Sequence, residues 1–222
     1  MNNRVKVTYD VYSSQYSVRK RLQKLLKESD ILSFDTETRS IYTKEEREEA
    51  KEYLKEVNTT DPYYKQARLV ANTSGLSYPS IIKTTHFQFS KSKNHSHIFI
   101  CNSNDLELYI WNTIADYSGK LIVHNAMFDL KICYQRIKKL PKNYVDTALM
   151  VKCLINHVDV WKSKIGLKDL MGEYYDPKWA LLAEDYEPKN LKDENFIKYC
   201  AIDSAATYYL HDLVLKEFEN SK

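Results

Sequence analysis

The chain has 222 residues, 43% of them hydrophobic, with 33 basic against 30 acidic side chains and a formal charge of +3. This composition supports a substantial core and excludes wholesale disorder, and the near-balance of charge excludes a histone-like polybasic protein. No segment approaches the roughly 20 apolar residues that cross a bilayer, and the polar opening Met1-Asn2-Asn3-Arg4 lacks the apolar centre of a secretory signal, so a soluble, intracellular protein is expected.

In chain order, Arg4 to Tyr9 alternates weakly and reads as an edge strand. Ser17 is a predicted N-cap for a helix from Val18 to Glu28, with Val18, Leu22, Leu25 and Leu26 on one face. Ile31-Leu32-Ser33-Phe34 is a short apolar run that suits a buried central strand. Thr43 and Glu46 form a capping box for a charged helix reaching Val57. From Asn58 to Pro79 the pattern dissolves into Thr, Asn, Asp, Pro, Gly and Ser, so residues 41–80 are expected to fold as an insertion on the outside of a single domain spanning 1–222. Ile81 to Phe89 and His97 to Cys101 read as a strand hairpin joined by the polar stretch Ser90 to Ser96. Asp105 to Tyr117 is a predicted amphipathic helix, Leu121-Ile122-Val123 a buried strand, and Ala126 to Ile137 the helix that follows it. Asp146 is placed to cap a helix from Thr147 to Ile155. A short helix follows Gly166, and a long one runs from about Asp193 to Phe218. Strands that come first and then alternate with helices indicate an α/β fold, a mixed β-sheet covered by helices. The four cysteines contain no C-x-x-C pair, and three of them sit in apolar periodic segments as buried thiols.

Three acidic segments stand out. Asp35 and Glu37 in Phe34-Asp35-Thr36-Glu37-Thr38 are two apart at a strand end and therefore share a face. Two like charges so close repel unless a cation lies between them, although exposed acidic pairs at strand ends are common. Asn125 and Asp129 open a helix, where Asn125 suits an N-cap and an acid in the first turn also complements the helix dipole. Tyr199 and Asp203 are four apart in the last helix, hence on one helical face. Asp203 sits among Ala201, Ile202, Ala205 and Ala206, where an isolated carboxylate is costly and needs a partner or a metal.

A strand D-x-E, a helix-start N-x-x-x-D and a late Y-x-x-x-D, in that order, resemble the DEDD exonucleases of the ribonuclease H-like fold, and the tyrosine four positions before the last aspartate resembles their DEDDy branch. The chain is most similar to the proofreading exonuclease domain of family A DNA polymerases, including those of phages. Tyr144-Val145-Asp146-Thr147 and Gly166-Leu167-Lys168-Asp169-Leu170-Met171 are similar to that family's intermediate segments. The 41–80 insertion is a departure. The resemblance implies a ribonuclease H-like mixed sheet and hydrolysis from the 3′ end of single-stranded DNA, with two Mg²⁺ or Mn²⁺ ions as cofactors. It implies that Asp35, Glu37, Asp129 and Asp203 hold the ions, that Tyr199 orients the attacking water, and that Thr36, Thr38, Ile41 and Asn125 contact the terminal nucleotide. It further implies a cytoplasmic protein of a bacterium or a phage-infected cell. The expected partners are a DNA 3′ end and a separate DNA polymerase chain, with no membrane.

Two other readings compete: an exoribonuclease built on the same motifs, and a catalytically weak polymerase-associated subunit. Lys131, Arg136, Lys138 and Lys139 suit phosphate contact or a solvated helix face equally well. His95 and His97, alternating at a hairpin turn, could bind a metal, but they are expected as surface turn residues. His124 is expected to pack beside the site, and Asp146 and Asp169 to serve as helix-start residues.

Overall fold

The computed structural model describes residues 5–72, 79–154, 165–179 and 190–220, without the side chains of residues 173 and 174. The expectations at Arg4, at Ile155 and over residues 73–78 lie outside the described residues. Six strands form one mixed sheet in the order β1-β4-β3-β2-β5-β6. They are β1 (Thr8–Tyr12), β2 (Ile31–Ser40), β3 (Ile82–Ser92), β4 (His95–Ile100), β5 (Lys120–Val123) and β6 (Tyr144–Asp146). Only β3 runs antiparallel to its neighbours, β2 and β4, and every other pairing is parallel.

Alternation along β2 divides its side chains between two layers. Leu32 and Phe34 face a core shared with helix α1 (Gln15–Lys27). Helices α4 (Asn104–Ala115) and α5 (Met127–Ile137) complete that layer. Phe34 and Phe87 meet the buried Trp111 edge-on, with ring centroids 5.8 Å and 4.9 Å away. Ser33, Asp35 and Glu37 face the other layer, which is dominated by the long helix α8 (Glu194–Asn220). Both faces of β3 are covered, so its residues from Thr84 to Ser90 are all buried and it shows no polar alternation.

A seam of buried serines fixes α8 against the sheet. Ser33 donates to the Ser204 carbonyl at 2.6 Å, Ser96 donates to the Ala201 carbonyl at 2.7 Å, and Ser90 bonds Ser96 and the Ser204 hydroxyl. Small residues on the facing helix surface, Ala201, Ala205 and Ala206, let its backbone approach closely enough for these bonds. A second polar tie crosses the other layer. Arg136 pairs with Glu107 at 3.0 Å and donates to the Ile82 carbonyl, while Glu107 also accepts from the Thr84 backbone N–H.

Several boundaries differ from the sequence expectation. Ser14, not Ser17, caps α1 by accepting from the Ser17 N–H, although the apolar face is the one read from the sequence. The turn between β3 and β4 is shorter than expected, because the serines from 90 to 96 are used inside the sheet. Within the polar stretch after Asn58, residues Tyr64–Ala71 form a helix, α3, packed beside α2 (Lys44–Glu56). Thr43 and Glu46 make the expected capping box on α2, yet neither helix buries a single residue. Helix α6 (Thr147–Leu154) begins at Asp146, whose carboxylate accepts from the Ala148 N–H at 2.9 Å. Three cysteines are buried and free, and Cys153 is exposed and free.

Replacing Arg136 with Ala leaves Glu107 buried without its cation, which costs about 3–5 kcal/mol. Thermal unfolding is expected to fall by about 6 °C or more, at ~2–4 °C per kcal/mol for this size. The double variant Arg136→Met/Glu107→Gln is expected to recover most of that loss.

Candidate active site

Strand parity brings Asp35 and Glu37 together, and the serine seam brings Asp203 down onto them from α8. One oxygen from each of Asp35, Glu37 and Asp203 lies within 4.8 Å of the other two. Gln88, the direct cross-strand partner of Asp35, donates from Nε2 to Asp35 Oδ2 at 2.6 Å and to Glu37 Oε1 at 3.5 Å. Just past Glu37 the β2–β3 register shifts, and the extra residue, Thr85, donates its hydroxyl to the Glu37 carbonyl at 3.2 Å. This bulge re-aims the strand end beside the cluster.

Asp129 comes from the first turn of α5 and is 2% exposed. Its Oδ1 accepts from the Thr36 hydroxyl at 2.5 Å, and Asp35 is the strongest charged neighbour acting on it. Tyr199 lies one helical turn before Asp203, and its phenol eases the carboxyl of that residue downward. The same phenol oxygen accepts from Lys168 Nζ at 3.0 Å, and the ammonium stands 4.4 Å from the ring centroid. Lys168 belongs to α7 (Leu167–Asp169), which continues into a π-helical stretch, Leu170–Tyr175.

Burial raises all four carboxyl groups. Asp35 is pushed up to about 6, eased by the Gln88 hydrogen bond, and Asp203 to about 7 by burial and then by Asp35. Glu37 and Asp129 are held well above the usual carboxylate range, first by burial and then by the Asp35 charge. Tyr199 keeps its proton far above the ordinary phenol value, from burial and then from Asp203. The Lys168 charge works the other way on Asp35, Glu37 and Asp203.

Among the described residues, Asp203 Oδ1 is buried with no hydrogen-bond partner. A buried, unpaired carboxylate oxygen facing two further carboxylates is a ligand set for a hard divalent cation. The residues present fit Mg²⁺ or Mn²⁺.

The other expected contacts are placed as follows. Thr36 is buried and spends its hydroxyl on Asp129. Thr38 is half-buried beyond the bulge. Ile41, 54% exposed, borders a cavity of about 320 Å³ with Lys83, Glu107 and Arg136, and none of the four acids lines it. Asn125 does not cap α5. It takes a left-handed conformation, φ 57°, and leaves its side chain exposed. Asp146 holds that turn instead, accepting from the Asn125 and Ala126 N–H groups at 3.0 and 2.9 Å. Both ring nitrogens of His124 are engaged, with Thr147 and with the Ile165 carbonyl.

The basic candidates are less available than the sequence suggested. Arg136 is held by Glu107, Lys139 lies 3.6 Å from Asp116, and Lys138 lies over the Tyr134 ring. His95 and His97 are strand residues rather than turn residues, and His97 is 1% exposed, its burial pushing it down to about 4. Lys168 and Gln88 were not singled out from the sequence. A glutamine between Phe87 and Phe89 near the end of a predicted strand was the available signal for the second.

A family model described as a 3′–5′ exonuclease matches residues 73–219, well over half of the chain. No curated protein sequence matches it. Solved structures that share its fold include the following three. A variant of the catalytic core of RRP6 from Trypanosoma brucei has a TM-score of 0.62 at 11% identity, covering 96% of this chain and 48% of that one. The Trypanosoma brucei RNase D complex with RNA U12 has a TM-score of 0.57 at 12% identity, covering 94% and 62%. Brucella melitensis NrnC has a TM-score of 0.53 at 14% identity, covering 98% and 84%. They establish the expected α/β architecture, a ribonuclease H-like mixed sheet flanked by helices. Among the described residues no helix is long and apolar enough to cross a membrane.

Because the native carboxyls bind protons more tightly than their unfolded counterparts, stability without metal falls as pH rises from about 4 through the native values of Asp35 and Asp203. In chelator, the melting temperature at about pH 8 is expected to lie several degrees below that at about pH 5. Mn²⁺ is expected to raise it far more at the higher pH, as differential scanning fluorimetry would read.

Proposed function

Because the chain belongs to the 3′–5′ exonuclease family, we propose that it removes nucleotides from the 3′ end of single-stranded DNA with two divalent ions held by Asp35, Glu37, Asp129 and Asp203. It is a hydrolase of the DEDD exonuclease group. The observation that carries the proposed site is the convergence of Asp35, Glu37 and Asp203 oxygens within 4.8 Å from two distant segments, together with the unpaired, buried Asp203 Oδ1.

When bound, Mg²⁺ or Mn²⁺ supplies an acidified water and offsets the phosphate charge. The rest falls to the chain. Asp35, Glu37 and Asp203 would hold the metal directly, and Asp129, aimed by the Thr36 hydroxyl, would support it. Tyr199 is a hydrogen-bond donor that orients the attacking water. Its raised pKa argues against a phenolate base while the carboxylates stand uncompensated. Lys168 orients the phenol through its 3.0 Å hydrogen bond and contributes positive charge beside the scissile phosphate. Thr38, Asn125 and Ile41 remain the proposed contacts to the terminal nucleotide, with Asn125 aided by its exposure at the β5–α5 turn.

The chain acts as a single exonuclease domain over 1–222, with residues 41–80 as an appendage. The lack of buried residues on α2 and α3 supports that division. A separate polymerase chain as partner fits proofreading. A second reading takes RNA as substrate, favoured by the Trypanosoma brucei RNase D complex with RNA and by Escherichia coli RNase D, described as an exoribonuclease. Their identities of 12% and 15% speak for the fold alone.

Incubating 3′-labelled and 5′-labelled DNA and RNA strands of equal sequence with Mn²⁺ tests polarity and substrate together. Loss of the 3′ label first, with DNA degraded faster, is expected; faster RNA loss selects the second reading. Asp203→Ala and Asp129→Ala are each expected to lower the rate by roughly 10²-fold or more, and Lys168→Met by about 10–100-fold. Unchanged rates in both aspartate variants would remove the catalytic assignment.

A further inference from the structure

The opposite face of the sheet carries a second convergence of ligand-type side chains, on the two strands farthest from β2 on that side. Asp10 on β1 stands directly across from His97 in the parallel β1–β4 register, and His95 lies two residues earlier on β4. All three project toward the α1 layer, because the alternate residues Ser96 and Ile98 pack under α8. One donor atom from each of Asp10, His95 and His97 lies within 4.8 Å of the others. Asp10 Oδ2 is 3.3 Å from His95 Nε2 and 3.4 Å from His97 Nδ1. These spacings match the edge of a tetrahedron whose centre lies ~2.0–2.1 Å from each ligand atom, which is about 3.3–3.4 Å.

The hydrogen bonding around the cluster prepares it. Thr8 holds His95 from behind, its hydroxyl 3.0 Å from the Asn94 carbonyl and 2.8 Å from His95 Nδ1. With Nδ1 engaged there, His95 presents Nε2 to the Asp10 carboxylate. His97 is 1% exposed, and neither of its ring nitrogens has an aligned hydrogen-bond partner among the described residues; the 3.4 Å approach of Nδ1 to Asp10 lacks hydrogen-bond geometry. Tyr12 donates to Asp10 Oδ2 at 3.2 Å and fixes the carboxylate from the outside. Oriented ligands backed by outer hydrogen bonds are the arrangement of a metal site.

We propose that Asp10, His95 and His97 form a second metal site, separate from the carboxylate cluster, that takes a zinc-class divalent ion and ties the edge strand β1 to β4. Two imidazole nitrogens and one carboxylate select borderline transition ions over Mg²⁺. Arg21 and Lys91 add positive charge to this face, which further disfavours a cation held by charge alone. A fourth ligand position opens toward solvent, on the side where Asp10 is half exposed.

The test is titration of the full chain with ZnCl₂ in excess Mg²⁺, followed by calorimetry, with Co²⁺ visible absorption as a second readout of tetrahedral coordination. One zinc per chain is expected, retained in Asp203→Asn and weakened by roughly 100-fold or more in His95→Ala and in Asp10→Asn. Both substituted side chains are partly exposed, so the variants are expected to stay folded, which circular dichroism would verify, and to keep native Mg²⁺-dependent nuclease rates. Zinc binding that survives His95→Ala, or that disappears with Asp203→Asn, overturns the proposal. So does the absence of any zinc binding, which would leave a plain imidazolium–carboxylate pair.

Discussion

Like charges resist being gathered, and this fold gathers them. Asp35, Glu37 and Asp203 face one another within 4.8 Å, and Asp129 stands behind Thr36 against the same cluster. At such distances carboxylates in a partly dry site repel by several kcal/mol unless protons or cations intervene. Gln88, Thr36 and Lys168 relieve part of this strain, as their hydrogen bonds and charge lower the carboxyl pKa values, yet all four remain raised. The metal-free protein answers by holding protons. A divalent cation would answer better, because it would replace the protons with a charge for the buried Asp203 Oδ1, which has no hydrogen-bond partner among the described residues.

The scaffold is built to withstand that repulsion. Asp203 cannot drift outward, because Ser204, the next residue, is bonded to Ser33 and Ser90 through backbone and hydroxyl, and Ser96 holds the Ala201 carbonyl. Ser33 lies two residues before Asp35 on the same strand face, so the helix and strand that carry the opposing acids are joined one step from the acids themselves. On the far side of the sheet, Phe34 and Phe87 stack, Trp111 meets both edge-on, and the three stiffen β2 and β3 from beneath. A site whose ligands sit on rigid elements keeps its geometry before the cation arrives.

Local signals in the sequence carried much of this, and long-range ones did not. Parity alone placed Asp35 with Glu37, helical spacing alone placed Tyr199 with Asp203, and the apolar neighbours of Asp203 marked it as an acid in need of a partner. The Thr43–Glu46 box was legible because capping acts within one turn. By contrast, Ser14 and Ser17 are equally good caps by composition, and only the tertiary path of the chain chose Ser14. Tyr64–Ala71 was hidden because it is only eight residues long and follows a stretch rich in Thr, Asn, Asp and Pro. Strand β6 is too short for a periodic signal, and its tie to β5 is a parallel pairing across the whole of α5. Lys168 was missed and His97 misplaced for one reason: each derives its meaning from a partner far away in the chain, Tyr199 for the first and Asp10 for the second.

Where divalent ions settle decides whether the carboxylate cluster is a metal centre. Crystals grown or soaked in Mn²⁺ and measured at the manganese edge would locate them directly by anomalous scattering. Peaks coordinated by Asp35, Glu37 and Asp203, with Asp129 beside the one nearest Asp35, are the expected result. Manganese bound only elsewhere, with those carboxylates left to face one another in protonated pairs, would contradict it.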